Sequence, residues 1–324
     1  PWRHAPSGLI ITADARIDNR RELTGALALA AGAAQPLPDS QLILHAYLKW
    51  GAACPERLIG DFAFAIWNPG KRELFCARDH LGARSFYFYH AGAQLVFATS
   101  AVAVARGMHG APHLNEGRVA DYLIGETDGI DHRESIFRDV HRLPPASSLT
   151  FRGGRVELRN YWRPEELSAL TVRSDAEYLE QFHGVLSRAV ARCLRADRPV
   201  AATLSGGVES SVIVALAAEL EAAGMTFGAC RLGRTLTQVN DDEAGCNESA
   251  CIRAVAAATG MDAAFLGSDM VGQHAAGLAD WSASFEDPSD GLGLQRFLMD
   301  RVARQFDHGV VLDGLDGDLA PTLP

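Results

Sequence analysis

Hydrophobic and polar positions alternate in two different ways along the chain. Residues 8–12, GLIIT, read as a strand, and residues 20–31 as a helix. Asp39 starts a second helix, closed by Gly51, and is placed as its N-cap. Its apolar positions Leu42, Ile43, Ala46 and Tyr47 recur as one buried helix face does. Residues 61–98 change character. DFAFAIW, ELFCAR, SFYFYH and QLVFATS are short strand-like runs broken by NPGK, DHLGAR and AGA, the spacing of an antiparallel sheet. Helices over 101–106 and 115–123 and a strand pair around 147–159 follow, and Tyr161-Trp162-Arg163-Pro164 ends the region.

From about Ser174 strand and helix alternate. A helix over 174–195 leads to strand 199–204, helix 208–223, strand 226–231, helix 247–259, strand 263–266, helix 292–306 and strand 309–312. This order predicts a parallel, doubly wound α/β sheet, with the domain boundary near 163–173.

The chain has 324 residues, 48% of them hydrophobic, enough for about two domains with sizeable cores. A net charge of −10 opposes non-specific binding to nucleic acid or anionic membrane. No apolar run is long enough to span a bilayer. Cys54, Cys76, Cys193, Cys230, Cys246 and Cys251 form no CxxC pair or disulfide framework, so reduced thiols and a cytoplasmic location are expected. The histidines form no HExxH pair, and no zinc is expected. The start at PWRHAP and the stop at DGDLAPTLP suggest a fragment lacking both ends.

The stretch TLSGGVESSV, Thr203 to Val212, carries the chemistry. Ser205-Gly206-Gly207 ends a predicted strand and opens a helix. Ligands of open α/β sheets lie at such strand ends, and helix N-termini offer unpaired N–H groups. Glycines admit an anion to the backbone, and Ser205, Ser210 and Ser211 add hydroxyls, so the loop reads as a phosphate cradle. It lacks the lysine of a Walker-type loop.

LSGGVESS resembles the pyrophosphate-binding SGGLDSS loop of the asparagine synthetase family. RIDNRREL, LILHAYLKWG, GDFAFAIW, ARDHLGARSFYFY, FATS, RLPPAS, YWRP and VVLDGLDGD occur in that family's order. The resemblance covers almost the whole chain. It implies an α+β, glutaminase-like domain of the N-terminal-nucleophile hydrolase type over 1–165. A doubly wound ATP-pyrophosphatase domain, incomplete at its C-terminus, would occupy 172–324. ATP and Mg²⁺ are the implied cofactors. The family's metal-binding acids match Glu209 and Asp318. Glu209 is one methylene longer than the family's Asp and must fold back to reach the same metal; it also suits a helix start as a plain first-turn acid. Gly314 matches a position that backs onto the nucleotide. Leu204 and Ala229 match positions lining adenine or ribose, and read equally well as core residues.

Several positions depart from the family. Leu315 and Leu319 stand where asparagine synthetases carry acids, which counts against aspartate and ammonia as substrates. Asp14-Ala15-Arg16 replaces the string that supplies oxyanion donors and an amine-binding carboxylate; an anionic Asp14 has no N–H to give, and Arg16 repels an ammonium. Only Asp39 matches a glutamine-binding acid. The glutaminase half is therefore expected to be inactive and structural. Arg78-Asp79-His80 matches a structural turn, Asn240-Asp241-Asp242-Glu243 reads as a solvated loop, and Glu286-Asp287-Pro288 matches a segment near the family's substrate pocket. A general base and the family's pyrophosphate-contacting lysine are expected beyond Pro324, since no lysine follows Lys71.

The function this implies is an AMP-forming amide ligase acting on a small-molecule or peptide substrate, most like a lasso-peptide cyclase, with precursor-peptide partners. A glutamine-hydrolysing asparagine synthetase and a non-catalytic nucleotide-binding scaffold are the alternatives. The oligomeric state is left open.

Overall fold

The computed structural model describes residues 1–29, 37–125, 131, 133–167, 174–225, 232–238, 248–266, 277–283 and 293–314. The chain divides into two compact units, the first over Pro1–Ala169 and the second starting at Leu170.

The first unit contains β1 (Trp2–Arg3), β2 (Ile10–Ile17), α1 (Arg20–Ala26), α2 (Asp39–Trp50), β3 (Gly60–Asn68), β4 (Glu73–Arg78), β5 (Tyr87–Ala91), β6 (Gln94–Ala98), α3 (Ala101–Arg106), α4 (Glu116–Leu123), β7 (His141–Arg142), β8 (Ser147–Arg152) and β9 (Arg155–Asn160). The single antiparallel sheet expected from the hairpins is two sheets, one ordered β1-β2-β3-β4-β8-β9 and one β6-β5-β7. Strand β3 shows why. Side chains of a strand point alternately to its two faces. Phe62, Phe64 and Ile66 join Leu42, Ile43 and Tyr47 of α2 in one core. Ala63 and Ala65 share the other core with Cys76, Phe86, Phe88 and Leu149. Large residues meet the helix, and small ones let the second sheet approach.

Two helix expectations need correction. Helix α1 ends at Ala26, not at residue 31, because Leu27 caps it and Ala28 turns to φ 52°. The N-cap of α2 is Pro38, and Asp39 is its first helical residue, with a side chain used elsewhere. Strand β2 runs past residue 12 to Ile17, so Asp14, Ala15 and Arg16 lie within a strand, opposite Ala63, Phe62 and Asp61.

The turn after β4 is built on a buried acid. The Asp79 carboxylate accepts backbone N–H bonds from Phe62 (3.2 Å), Leu81 (3.2 Å), Ala83 (2.8 Å) and Arg84 (2.9 Å). Arg78 donates to the carbonyls of Arg84, Leu143 and Gly82, and the Tyr161 hydroxyl donates to Arg78 O at 2.6 Å. His80 meets Tyr161 and Trp162 edge-on at 5.3 and 5.2 Å between ring centroids. Every polar group of Arg78-Asp79 that these bonds engage faces the backbone, which makes the triplet a structural clasp.

The second unit contains α5 (Asp175–Cys193), β10 (Val200–Thr203), α6 (Val208–Ala222), β11 (Leu232–Gln238), α7 (Glu248–Thr259), β12 (Ala263–Leu266), α8 (Leu278–Ala283), α9 (Gly293–Gln305) and β13 (Val310–Leu312). The four strands are parallel and ordered β12-β11-β10-β13. Val190 and Leu194 of α5, Val214 and Leu220 of α6 and Ile252 of α7 pack on Val200 and Ala202. Met299, Val302 and Ala303 of α9 pack on Ala201 and Leu236. The sheet is doubly wound. The strand expected over 226–231 lies outside the described residues, and the strand beside β10 is Leu232–Gln238. Its pattern is hidden in sequence because Thr235 and Thr237 are buried, their hydroxyls bonded to Asp262 O and Leu204 O. Among the described residues no helix is long and apolar enough to cross a membrane.

Two outcomes follow from the clasp. Asp79→Ala orphans buried amide donors and lowers the stability of the first unit by about 3 kcal/mol or more, read by denaturant unfolding of the full chain; a wild-type midpoint would contradict the clasp. Burial lowers the His80 pKa below its ordinary 6.5, against an opposing pull from Asp79. The unfolded chain then binds the proton more readily, so stability is full above 6.5 and falls as pH drops below it. A His80→Phe variant is expected to show a shallower loss as pH falls below 6.5; an unchanged slope would remove His80 from the account.

Candidate functional site

The order of the parallel strands locates a crevice. From β10 the chain steps through α6 to β11 and through α7 to β12, then returns by α9 to β13 on the opposite side of β10. The chain thus leaves β10 on the side of β11 and reaches β13 on the other side of β10, and open α/β sheets bind ligands at the carboxyl ends of strands where the order changes direction in this way. Residues 205–207 follow β10, and Asp313 and Gly314 follow β13.

Gly206 has φ 85°, a conformation glycine adopts without strain. A Cβ there would also lie 2.9 Å from Glu248 O and 3.3 Å from Cys251 Cβ and Ile252 Cγ1, so the loop presses against the first turns of α7. Gly207 is the N-cap of α6 and contributes no capping side chain. The serines divide the work. Ser210 is buried; its hydroxyl accepts from Ser205 N at 3.2 Å and lies 3.1 Å from the Ser205 hydroxyl. The Ser211 hydroxyl donates to Gly207 O at 2.6 Å. Ser210 therefore braces the loop from beneath, while exposed Ser205 stands at its mouth. Leu204 is buried among Val200, Ala202 and Val214, in agreement with its reading as core.

Gly314 joins the two strand ends. A Cβ on it would meet Ser210 N at 3.0 Å, Glu209 Cβ at 3.2 Å and Glu209 C at 3.3 Å. The loop after β13 thus lies directly on the first turn of α6. Glu209 is half-buried there, and a Cβ at Gly207 would sit 3.3 Å from its Oε2, so the carboxylate folds back over the loop glycine. The structure brings together Ser205, Gly206, Gly207, Glu209, Ser210, Ser211 and Gly314. Ala229, Asp318, Leu315 and Leu319 lie outside the described residues, as do 240–243 and 286–288. Thr203 and Asp313, which the sequence reading did not mark as site residues, also face this crevice: the Thr203 hydroxyl donates to Asp313 Oδ1 at 3.1 Å. Their signal in sequence was only position, each lying at the carboxyl end of a strand.

The glycines form a cradle that side chains would fill, and one oxygen donor, Glu209, leans over it. This fits a Mg²⁺-bound nucleotide, since that ion usually takes one or two protein carboxylates and completes its shell with phosphate and water oxygens. Among the described residues no group of three His, Cys, Asp or Glu side chains is gathered to hold a metal by itself.

The expected glutamine pocket of the first unit is occupied by its own charges. Asp39 Oδ2 accepts from Ile17 N at 3.1 Å, and its other oxygen pairs with Arg20. Arg16 pairs with Asp18 at 3.0 Å. Asp14 lies 3.7 Å from Arg84 and lines a cavity of about 270 Å³ with Thr12, Ala63, Ala65, Phe86 and Phe97. Burial, and then Asp79, raise the Asp61 carboxyl opposite Arg16.

Comparison with known proteins gives the family. The glutamine amidotransferase domain profile matches residues 1–162, and the asparagine synthase profile matches residues 181–319. Asparagine synthetase [glutamine-hydrolyzing] 3 of Bacillus subtilis is 32% identical over 184 residues, covering 56% of this chain and 29% of that protein. A putative asparagine synthetase [glutamine-hydrolyzing] of Mycobacterium tuberculosis is 31% identical over 234 residues, covering 66% of this chain and 33% of its own. Amidase chyE of Penicillium rubens is 30% identical over 234 residues, covering 69% and 34%. The chain spans about a third of the length of these relatives. With a glutamine amidotransferase domain followed by a doubly wound asparagine synthase domain, the chain belongs to the asparagine synthetase family.

Proposed function

We propose that the protein is an ATP-dependent amide-bond-forming ligase. It would activate a carboxylate as its adenylate and pass the acyl group to an amine carried by the same peptide or amino-acid-like substrate, as in a lasso-peptide cyclase. The observation that supports the nucleotide part is the contact of Gly314 with the start of α6, beside the Ser205-Gly206-Gly207 loop. The observation that favours a tethered amine over ammonia is the Asp39–Arg20 pair, which takes the acid a glutamine amine would use.

In this reading the triphosphate lies over Ser205-Gly206-Gly207. The first N–H groups of α6 and the Ser205 hydroxyl donate to its oxygens, and the positive end of the helix dipole favours the charge. Glu209 would hold Mg²⁺, and the ion, when bound, offsets the charge of the departing pyrophosphate. The substrate carboxylate attacks the α-phosphorus, and the bond to pyrophosphate breaks. The amine then attacks the acyl carbon, and AMP leaves with the bonding pair of the C–O bond. The fixed donors supply stabilisation where negative charge develops. A precursor peptide would be the partner, in the cytoplasm.

The relatives named as glutamine-hydrolysing asparagine synthetases support a second reading, in which ammonia is the amine. The two differ in whether glutamine is consumed.

The full-length protein with ATP, Mg²⁺ and candidate precursor peptides is expected to release pyrophosphate without consuming glutamine. Gly206→Ala, which places a Cβ 2.9 Å from Glu248 O, is expected to reduce that release by roughly a hundredfold. Pyrophosphate release independent of peptide but dependent on aspartate would sink the cyclase reading. For the metal, Glu209→Asp is expected to bind Mg²⁺-ATP several-fold more tightly by calorimetry; weaker binding would show that the longer acid is suited to this site.

A further inference from the structure

We infer that α5 carries a self-complementary apolar seam on its outward side, through which two copies of this chain pair by an antiparallel, two-fold contact of their α5 helices.

Helix α5 has two apolar sides where a monomer needs one. Val190, Ala191 and Leu194 lie in the core that covers β10. Tyr178, Phe182, Val185 and Ala189 follow one another at steps of four, three and four residues. At about 3.6 residues per turn such steps make one stripe, on the side of the helix turned away from Val190, Ala191 and Leu194. Tyr178 is 53%, Phe182 48% and Val185 57% exposed, and Ala189 is exposed as well. Single exposed apolar residues are ordinary, whereas a contiguous row of them marks an interaction surface. Alternating steps of four and three are also the repeat by which two helices pack as a coiled coil.

The order of residues along the seam names its occupant. A second α5 running the opposite way, about a two-fold axis near residues 183–184, sets Phe182 against the second copy's Val185 and Tyr178 against its Ala189. Each layer joins a large side chain to a small one, which is how facing positions fill without overlap. The same axis sets Asp175 against the second copy's Arg192, an acid against a base at both ends of the seam. A guanidinium has several donors, so a carboxylate across the seam can share it with other acceptors. The flanks agree, with Leu179 beside Leu186 on one side and Gln181 beside Arg188 on the other. A parallel pair would set every residue against its own twin. Asp175 would then meet Asp175, and Phe182 would crowd Phe182. Antiparallel placement also lays the two helix dipoles head to tail. The contact is one helix wide, so a reversible, concentration-dependent dimer is expected and not an obligate one.

The test is sedimentation velocity of the full-length protein over a concentration series. It is run at physiological salt, which screens the repulsion between two chains of net charge −10. The wild type is expected to pass from monomer to dimer in the micromolar range. Phe182→Glu is expected to weaken the dimer about a hundredfold, because two-fold symmetry counts the lost contact twice. Should that variant lower the melting temperature, Tyr178→Lys reads the same seam from a more exposed position. Asp175→Arg and Arg192→Glu are each expected to weaken their own homodimer several-fold. An equimolar mixture of the two is expected to recover the wild-type affinity, since the mixed pair again sets acid against base at both ends. A wild type that stays monomeric throughout would overturn the inference and leave the stripe to a different partner. A dimer indifferent to both Phe182→Glu and Tyr178→Lys would overturn it too, by placing the contact elsewhere. A mixture no tighter than its parts would overturn the antiparallel pairing.

Discussion

The second unit depends on a distance at which no side chain fits. Gly206 and Gly314 each leave room for a backbone to lie where a Cβ would be 2.9 Å and 3.0 Å from the nearest atom. Through the first, the loop after β10 packs on α7; through the second, the loop after β13 packs on α6. Strands β10 and β13 are already paired as far as Ala202 and Leu312, and these approaches bring the starts of α6 and α7 against their ends, where a helix N-terminus and a half-buried acid meet. The serines show how tightly the loop is specified: the Ser210 hydroxyl engages Ser205 N, so the phosphate-loop motif spends part of its hydrogen-bonding capacity on its own shape.

The first unit shows the same residue types used to the opposite end. Arg78-Asp79-His80 has the composition of a catalytic set, yet Asp79 accepts four backbone amides and Arg78 donates to three carbonyls. A carboxylate saturated in this way holds a turn and has no role left as a base. The strand-borne charges near it follow suit. Arg16 with Asp18, Arg20 with Asp39 and Arg84 near Asp14 pair within the protein.

Most of the second unit was legible because its period changes where the fold does. Strands β10, β12 and β13 and helices α5, α6, α7 and α9 fall within two residues of where the pattern puts them. What was not legible has physical causes. Strand β11 hides behind buried threonines whose hydroxyls find carbonyls, so a core strand reads as polar. The two layers of the first unit look like one sheet because hairpin signals report neighbours, not layers; only the alternation of Phe62, Phe64 and Ile66 with Ala63 and Ala65 holds that information. Helix α1 stops early because Ala28 takes a left-handed turn that its alanine-rich surroundings do not announce. In the site, the loop motif was readable from residue types, whereas the meeting of Gly314 with Glu209 depends on strand order, which local pattern does not encode.

The identity of Glu209 bears on how far chemistry can be read from position. An acid in the first turn of a helix is favourable by itself, worth about 0.3–1 kcal/mol at an exposed site. Its presence at the start of α6 therefore does not separate a metal ligand from a helix-capping charge. Glu209 folds towards the N-cap Gly207 and is half-buried against Gly314, and a first-turn acid that reaches back to the N-cap serves as a capping charge in the same conformation. Folding back restricts rotamers and removes water from a carboxylate, both of which oppose it. A conformation that gives up freedom and hydration is maintained where the neighbouring backbone leaves it little alternative, and the contact with Gly314 is that constraint. The added methylene of Glu209 is thus accommodated by the approach of a second strand end, which couples the reach of this acid to the geometry of the crevice as a whole.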